Sequence, residues 1–212
     1  EQNERKGIEM YQKASDLGNI DAMGILGLIY FSGLDGVEKN ERKAFELFQK
    51  ASDLGDVDAM YELGKCYFEG LGVEKNERKA VELFQKASDL GYADAIYQLG
   101  QCYLEGNGVE KNERKAVELF QKASDLGNTN AIRMLVLVAL EMLVLGLEVK
   151  WGYKVKKNHR KAVELLQKAF ELFQKASDLG NINAMFHLGE CYLQGYGVEK
   201  NTRKAVELFQ KA

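Results

Sequence analysis

Apolar residues recur along this chain in steps of three and four, stop at a glycine, and start again. From Asn76 to Lys111, a first stripe is formed by Ala80, Leu83, Phe84, Ala87 and Leu90, followed by Gly91. This spacing predicts an amphipathic helix with a left-handed stop. Asn76 stands before it as an N-cap, and Glu77 suits its first turn. A second stripe, Ala95, Leu99, Cys102 and Tyr103, begins near Asp94, and Gly106 and Gly108 turn the chain back. Val109 is expected to pack this loop. Gly100 falls inside the second helix, as do Gly64 and Gly189 at the matching place. Glycine there costs about 1 kcal/mol against alanine. Close backbone contact between neighbouring helices is the expected offset.

The phrase opened by Asn76 also opens at Asn3, Asn40, Asn112, Asn158 and Asn201. One helix pair cannot bury its own apolar face, but stacked pairs can. The expected fold is therefore all-α: a right-handed α-solenoid of about eleven helices in antiparallel pairs, with a concave and a convex surface. Five full repeats (3–39, 40–75, 76–111, 112–157 and 158–200) and a partial one (201–212) are read as a single domain. The complete lack of proline suits a chain of helices and short turns.

Two neighbouring repeats are long. The fourth gains ten residues in its second helix, and realigns so that "GYKVKKNHR" stands for the loop "GLGVEKNER". Lys154 replaces the second loop glycine, so that turn must differ. The fifth gains seven residues, a duplication of "KAVELLQ" as "KAFELFQ". Seven residues is close to two helical turns, which keeps Ala162, Leu165, Leu166, Ala169, Leu172, Phe173 and Ala176 in phase. The two lengthened helices are expected to form one long hairpin that projects from the solenoid or kinks it. In the first of them, Met134 to Leu147 carries one charge, Glu141. At 14 residues this run is short of the ~20 that a membrane span needs. A helix apolar all round is covered on more than one side. Self-association through Leu137, Leu140 and Val144 is the leading reading. The alternative is a local frameshift, since "EMLVLG" is what codons for "GNVGIG" give one base out of register.

Composition narrows the function classes. Apolar residues make up 46% and charged residues 29%, with a net charge of −3 and both signs interspersed. That excludes a basic nucleic-acid footprint and a polybasic membrane anchor. The chain begins at Glu1 with no charged-then-apolar leader and stops within a sixth repeat. A segment of a longer array is expected.

The pattern "KAxELFQKAxDLGxxxAxxxLGxCYxxGxGVxKN" closely resembles the Sel-one-like repeat, a relative of the tetratricopeptide repeat. The resemblance covers nearly the whole chain apart from the two insertions. It implies a non-enzymatic scaffold or adaptor that binds other proteins or peptides. The alternative it leaves is a regulatory segment of a larger signalling enzyme, such as a kinase fusion. Some secreted members carry a second cysteine in the first helix; here that slot is Ser52, Ser88, Ser124 and Ser177. The departure favours a reducing, cytoplasmic location.

Candidate chemistry is sparse. Cys66, Cys102 and Cys191 share one slot, held by Ile29 in the first repeat, and read as core. Equivalent atoms in stacked repeats lie roughly 9–10 Å apart, beyond the ~7 Å reach of a disulfide. His159 and His187 occupy exposed, changeable positions far apart, with no clustered partners for catalysis or zinc. The repeated Glu of "ELF" reads as half of an i,i+4 helix pair, as Glu82 with Lys86. No catalytic residue, cofactor or metal site is expected. By analogy with tetratricopeptide arrays, the first helices line the concave face. With Ala80, Leu83, Phe84 and Ala87 used for packing, Arg78, Gln85, Ser88 and Asp89 face the groove. Their counterparts are Arg42, Gln49, Ser52 and Asp53, then Arg114, Gln121, Ser124 and Asp125. Such a ladder could hydrogen-bond an extended peptide at repeated intervals.

Overall fold

The computed structural model describes residues 2–34, 36–148 and 152–212, with side chains except at 2–5, 141–148, 152–159 and 161. Among the described residues there are eleven α-helices and no strand. They fall into two compact units. The first, Glu1–Glu113, holds α1 (Gln2–Asp16), α2 (Ile20–Ser32), α3 (Glu41–Asp53), α4 (Val57–Glu69), α5 (Glu77–Asp89) and α6 (Ala93–Glu105). Each helix packs on the next in chain order, as a solenoid requires. The second unit, Arg114–Ala212, holds most of α7 (Glu113–Asp125), then α8 (Thr129–Glu148), α9 (Gly152–Asp178), α10 (Ile182–Gln194) and α11 (Thr202–Phe209).

The repeated asparagine caps the regular first helices. The Oδ1 atoms of Asn40, Asn76 and Asn201 accept from the backbone N–H of Lys43, Lys79 and Lys204 at 3.0–3.1 Å. The same asparagines tie each repeat to the one before: their own N–H groups donate to the carbonyls of Tyr30, Tyr67 and Tyr192 at 2.7–2.8 Å. Asn3 and Asn158 are exceptions, lying inside α1 and α9 rather than at a cap. Second helices are capped by Asn19, Asp56, Asn128 and Asn181 through their side-chain oxygens.

The apolar stripes form the core with one correction. Ala80, Phe84 and Ala87 are buried, but Leu90 is 61% exposed. It sits at the C-cap, beyond the last helical residue of α5, so its side chain leaves the stripe. The glycine inside the second helix seats an aromatic ring. A β-carbon on Gly27, Gly64 or Gly189 would stand 2.6, 2.5 and 2.5 Å from the ring of Phe48, Phe84 or Phe209 on the following helix. The close approach is thus between a ring and a backbone.

The long repeats hold the two lengthened, mutually packed helices that were expected, and depart from expectation in the loop. α8 has 20 residues and α9 has 27, against 13 for each of α3 to α7. The segment aligned with the loop "GLGVEKNER" is helical from Gly152 onward. The reason lies in the second loop glycine. Gly72, Gly108 and Gly197 hold φ of +70°, +70° and +68°, and a β-carbon on them would overlap backbone of the first helix. Lysine at 154 removes that option, and the chain stays helical. Gly197 stands over the Leu166 carbonyl as Gly108 stands over that of Glu77. The last 13 residues of α9 are therefore the regular first helix, and the rest is an N-terminal extension. Its stripe keeps phase: Ala162, Leu165, Leu166, Ala169 and Phe173 are buried. Among the described residues no helix is long and apolar enough to cross a membrane.

Candidate functional site

Depressions open where two successive first helices meet the second helix between them. In the first unit, one of about 360 Å³ is lined by Gln49, Leu63, Tyr67, Lys79, Glu82, Leu83 and Lys86, together with Ser52, Asp53 and Met60. In the second unit, one of about 210 Å³ is lined by Gln174, Leu188, Tyr192, Lys204, Glu207, Leu208 and Lys211. Those seven residues hold the same repeat positions as the first seven. The floor is apolar: Leu63 and Leu188 are buried and the tyrosines half-buried. Lys79 Nζ lies 5.1 Å from the centroid of Tyr67, and Lys204 Nζ 5.1 Å from that of Tyr192. Lys43 over Tyr30 repeats the arrangement one repeat earlier, at 4.9 Å. Each ring holds a cation at the rim without neutralising it.

The residues expected to face a groove are only partly brought together. Gln49 lines the first depression, and its Nε2 donates to Asp53 Oδ1 at 2.9 Å. Gln174 does the same to Asp178 at 2.9 Å, Gln85 to Asp89 at 2.8 Å and Gln121 to Asp125 at 3.5 Å. The amide carbonyl is left for another donor by these bonds. Arg42 and Arg114 line neither depression; they bond Glu46 and Glu118 at 3.4 and 3.1 Å. Arg78 lines a separate open depression with Lys75, Glu77 and Glu110. Ser52, Ser88 and Ser124 are all buried, although Ser52 still lines the first depression. The hydroxyl bonds within its own helix, as Ser124 Oγ to the Gln121 carbonyl at 2.7 Å, so serine fits the packed side.

The "ELF" glutamates are also corrected. Glu46, Glu118, Glu164 and Glu207 pair with the arginine four residues before. Lys86 and Lys211, expected as partners, line the depressions instead. Sequence reasoning missed these lysines and the tyrosines. The signal was present, since each recurs in register, but an exposed repeated lysine reads first as a solvated face.

A further depression, about 640 Å³, lies among α8, α9 and α10 and includes Arg133, Val136, Leu137, Leu140, Phe173 and Phe186. Val136 holds the position that is glycine in the other second helices. Leu137 is 46% and Phe186 47% exposed, whereas Leu140 is half-buried. The Val144 side chain lies outside the described residues. His187 is half-buried, not exposed: its ring packs on Phe173 at 5.3 Å and its Nδ1 lies 2.7 Å from Glu190 Oε2. The His159 side chain also lies outside the described residues. Cys66, Cys102 and Cys191 are buried free thiols, each pushed up to about 12 chiefly by burial. Thiols so protonated are poor nucleophiles at neutral pH. Among the described residues no group of three or more His, Cys, Asp or Glu could hold a metal ion.

A family model described as Sel1 repeat matches residues 1–19, 20–56, 57–92, 93–128, 142–172, 166–181 and 182–212. The matches resume at 142, inside α8, so the unmatched stretch 129–141 is the first part of the apolar helix. No curated protein matches the chain. Among solved structures, the chain is similar to a protective antigen of uropathogenic Escherichia coli strains displaying an SLR fold. Identity is 27% and the TM-score 0.62, covering 96% of this chain and 48% of the other. The chain thus spans about half the length of that protein. It is also similar to a Sel1 repeat protein from Oxalobacter formigenes (24% identity, TM-score 0.69, covering 96% and 82%). An immunity protein from Pseudomonas aeruginosa shares the fold as well (24%, 0.55, covering 96% and 71%).

Proposed function

The chain belongs to the Sel1 repeat family, whose members are protein-interaction scaffolds, and on that premise we propose that it binds partner proteins through the depressions between successive first helices. The observation that carries this reading is the recurrence of one lining set in both units. Each depression offers an apolar floor, an amide, a carboxylate and two lysines. An extended segment can lay an apolar side chain on Leu63 and Tyr67 and present carbonyl or carboxylate oxygens to Lys79 and Lys86. A hydrogen bond to a charged donor contributes roughly 1.5–3 kcal/mol, so reversing one lysine should be felt. Peptides selected by display against the whole chain are expected to lose about tenfold or more in affinity on Lys79→Glu or Lys204→Glu, measured by calorimetry. Selected peptides indifferent to both substitutions would remove this reading.

A second reading is self-association at the depression among α8, α9 and α10. It rests on the exposed apolar surface of Leu137 and Phe186. Light scattering should then show a dimer or larger species that becomes monomeric on Leu137→Glu. A monomer at all concentrations up to tens of micromolar would count against it.

A further inference from the structure

Every regular first helix ends in the same turn. At α3, Gly55 N–H donates to the Ser52 carbonyl and Asp56 N–H to that of Ala51; at α5, Gly91 and Tyr92 repeat both bonds. Backbone alone closes the turn, and the residue at the C-cap contributes no side-chain bond. Yet that residue is leucine each time: Leu17, Leu54, Leu90, Leu126 and Leu179 are 52–88% exposed. A leucine left half or more in water gives up much of the stabilisation that burial would supply.

In the first unit, Leu17, Leu54 and Leu90 stand at the same point of three successive repeats. They stand one per repeat along the edge where first helices end. The row is flanked by Asp16, Asp21, Asp53, Asp58, Asp89 and Asp94, all exposed. The lysines of these turns, Lys13, Lys50 and Lys86, are half as many.

We propose that this edge docks a basic amphipathic helix of a partner protein. Its apolar side chains cover the leucine row, and its lysines or arginines meet the aspartates. Seven residues advance a helix by about 10.5 Å, on the order of one repeat in a stacked-helix array, so leucine-like residues at heptad spacing are expected to meet one repeat each. Leu17, Leu54 and Leu90 do not line the depression of the first unit. The inference therefore goes beyond the groove reading, and either can fail alone.

The probe is a labelled synthetic helix of about three heptads, with leucine at every seventh position and lysine on both flanks. A second peptide keeps the composition but scrambles the leucine spacing. Anisotropy with the full chain should show saturable binding of the first, several-fold weaker at high salt. The Leu54→Glu, Leu90→Glu double variant should weaken it at least about tenfold. Both leucines are exposed, so an unchanged thermal melt is expected; Leu54→Ser with Leu90→Ser gives the same comparison without added charge. Display-selected groove peptides should bind the double variant as they bind the parent. Equal binding of the scrambled peptide, no binding of the first, or indifference to both double variants overturns the proposal.

Discussion

Alanine at Gly72 is expected to destabilise the first unit by about 3 kcal/mol, whereas alanine at Gly91 costs about 1 kcal/mol. Both glycines hold positive φ, +70° and +86°. The left-handed conformation alone strains a β-carbon by roughly 1–2 kcal/mol. They differ in what surrounds them. At Gly91 a β-carbon meets nothing within 4 Å. At Gly72 it overlaps the Glu41 carbonyl and the Arg42 amide at the start of α3. Backbone at a capped helix start cannot swing aside as a side chain can. Urea denaturation followed by circular dichroism should show a clear midpoint shift for Gly72→Ala and a small one for Gly91→Ala. Equal shifts would mean that the loop does not bear on α3.

Valine at Gly64 should cost about 3 kcal/mol, although it replaces glycine inside a helix. On an exposed helix, alanine in place of glycine gains about 1 kcal/mol. Here the new β-carbon would stand 2.5 Å from Phe84 Cε1 and 2.8 Å from Cδ1. Phe84 is fully buried, so its ring has no free space to enter. Overpacking of this kind costs about 1–3 kcal/mol for a single group. The coupling is open to measurement. Phe84→Leu alone leaves a void, but paired with Gly64→Ala the two changes should compensate by about 1 kcal/mol relative to their sum. Strict additivity would show that the ring does not rest on this glycine.

The candidate surface was legible in part. Repetition put Gln49 and Gln85 on one face of first helices, and Gln49 does line a depression. The analogy with tetratricopeptide arrays and the helical spacing put the arginines on that face, yet Arg42 and Arg114 lie along their own helices against Glu46 and Glu118. Spacing tells which residues share a helix face. It does not tell which of them reach the seam with the next helix. Lys79 and Tyr67 meet there because one comes from α5 and the other from α4, and only packing brings those helices together. Leu90 misled for a related reason: it continues the apolar period in the sequence, but the helix stops one residue earlier.

By itself the sequence determined what depends on neighbours along the chain: two helices per repeat, their caps at Asn40 and Asn76, their glycine stops, and the stacking that their one-sided apolar stripes demand. Local hydrogen bonds and helical period are short-range, so they can be read from short-range order. The tertiary structure decided what depends on separate segments meeting. It turned the expected loop after α8 into helix, since Lys154 stands where only a glycine fits against the first helix. It buried the serines, left the turn leucines in solvent, and set a lysine over a tyrosine at three seams. Those outcomes follow from steric and electrostatic contact across helices, which no periodicity along one helix encodes.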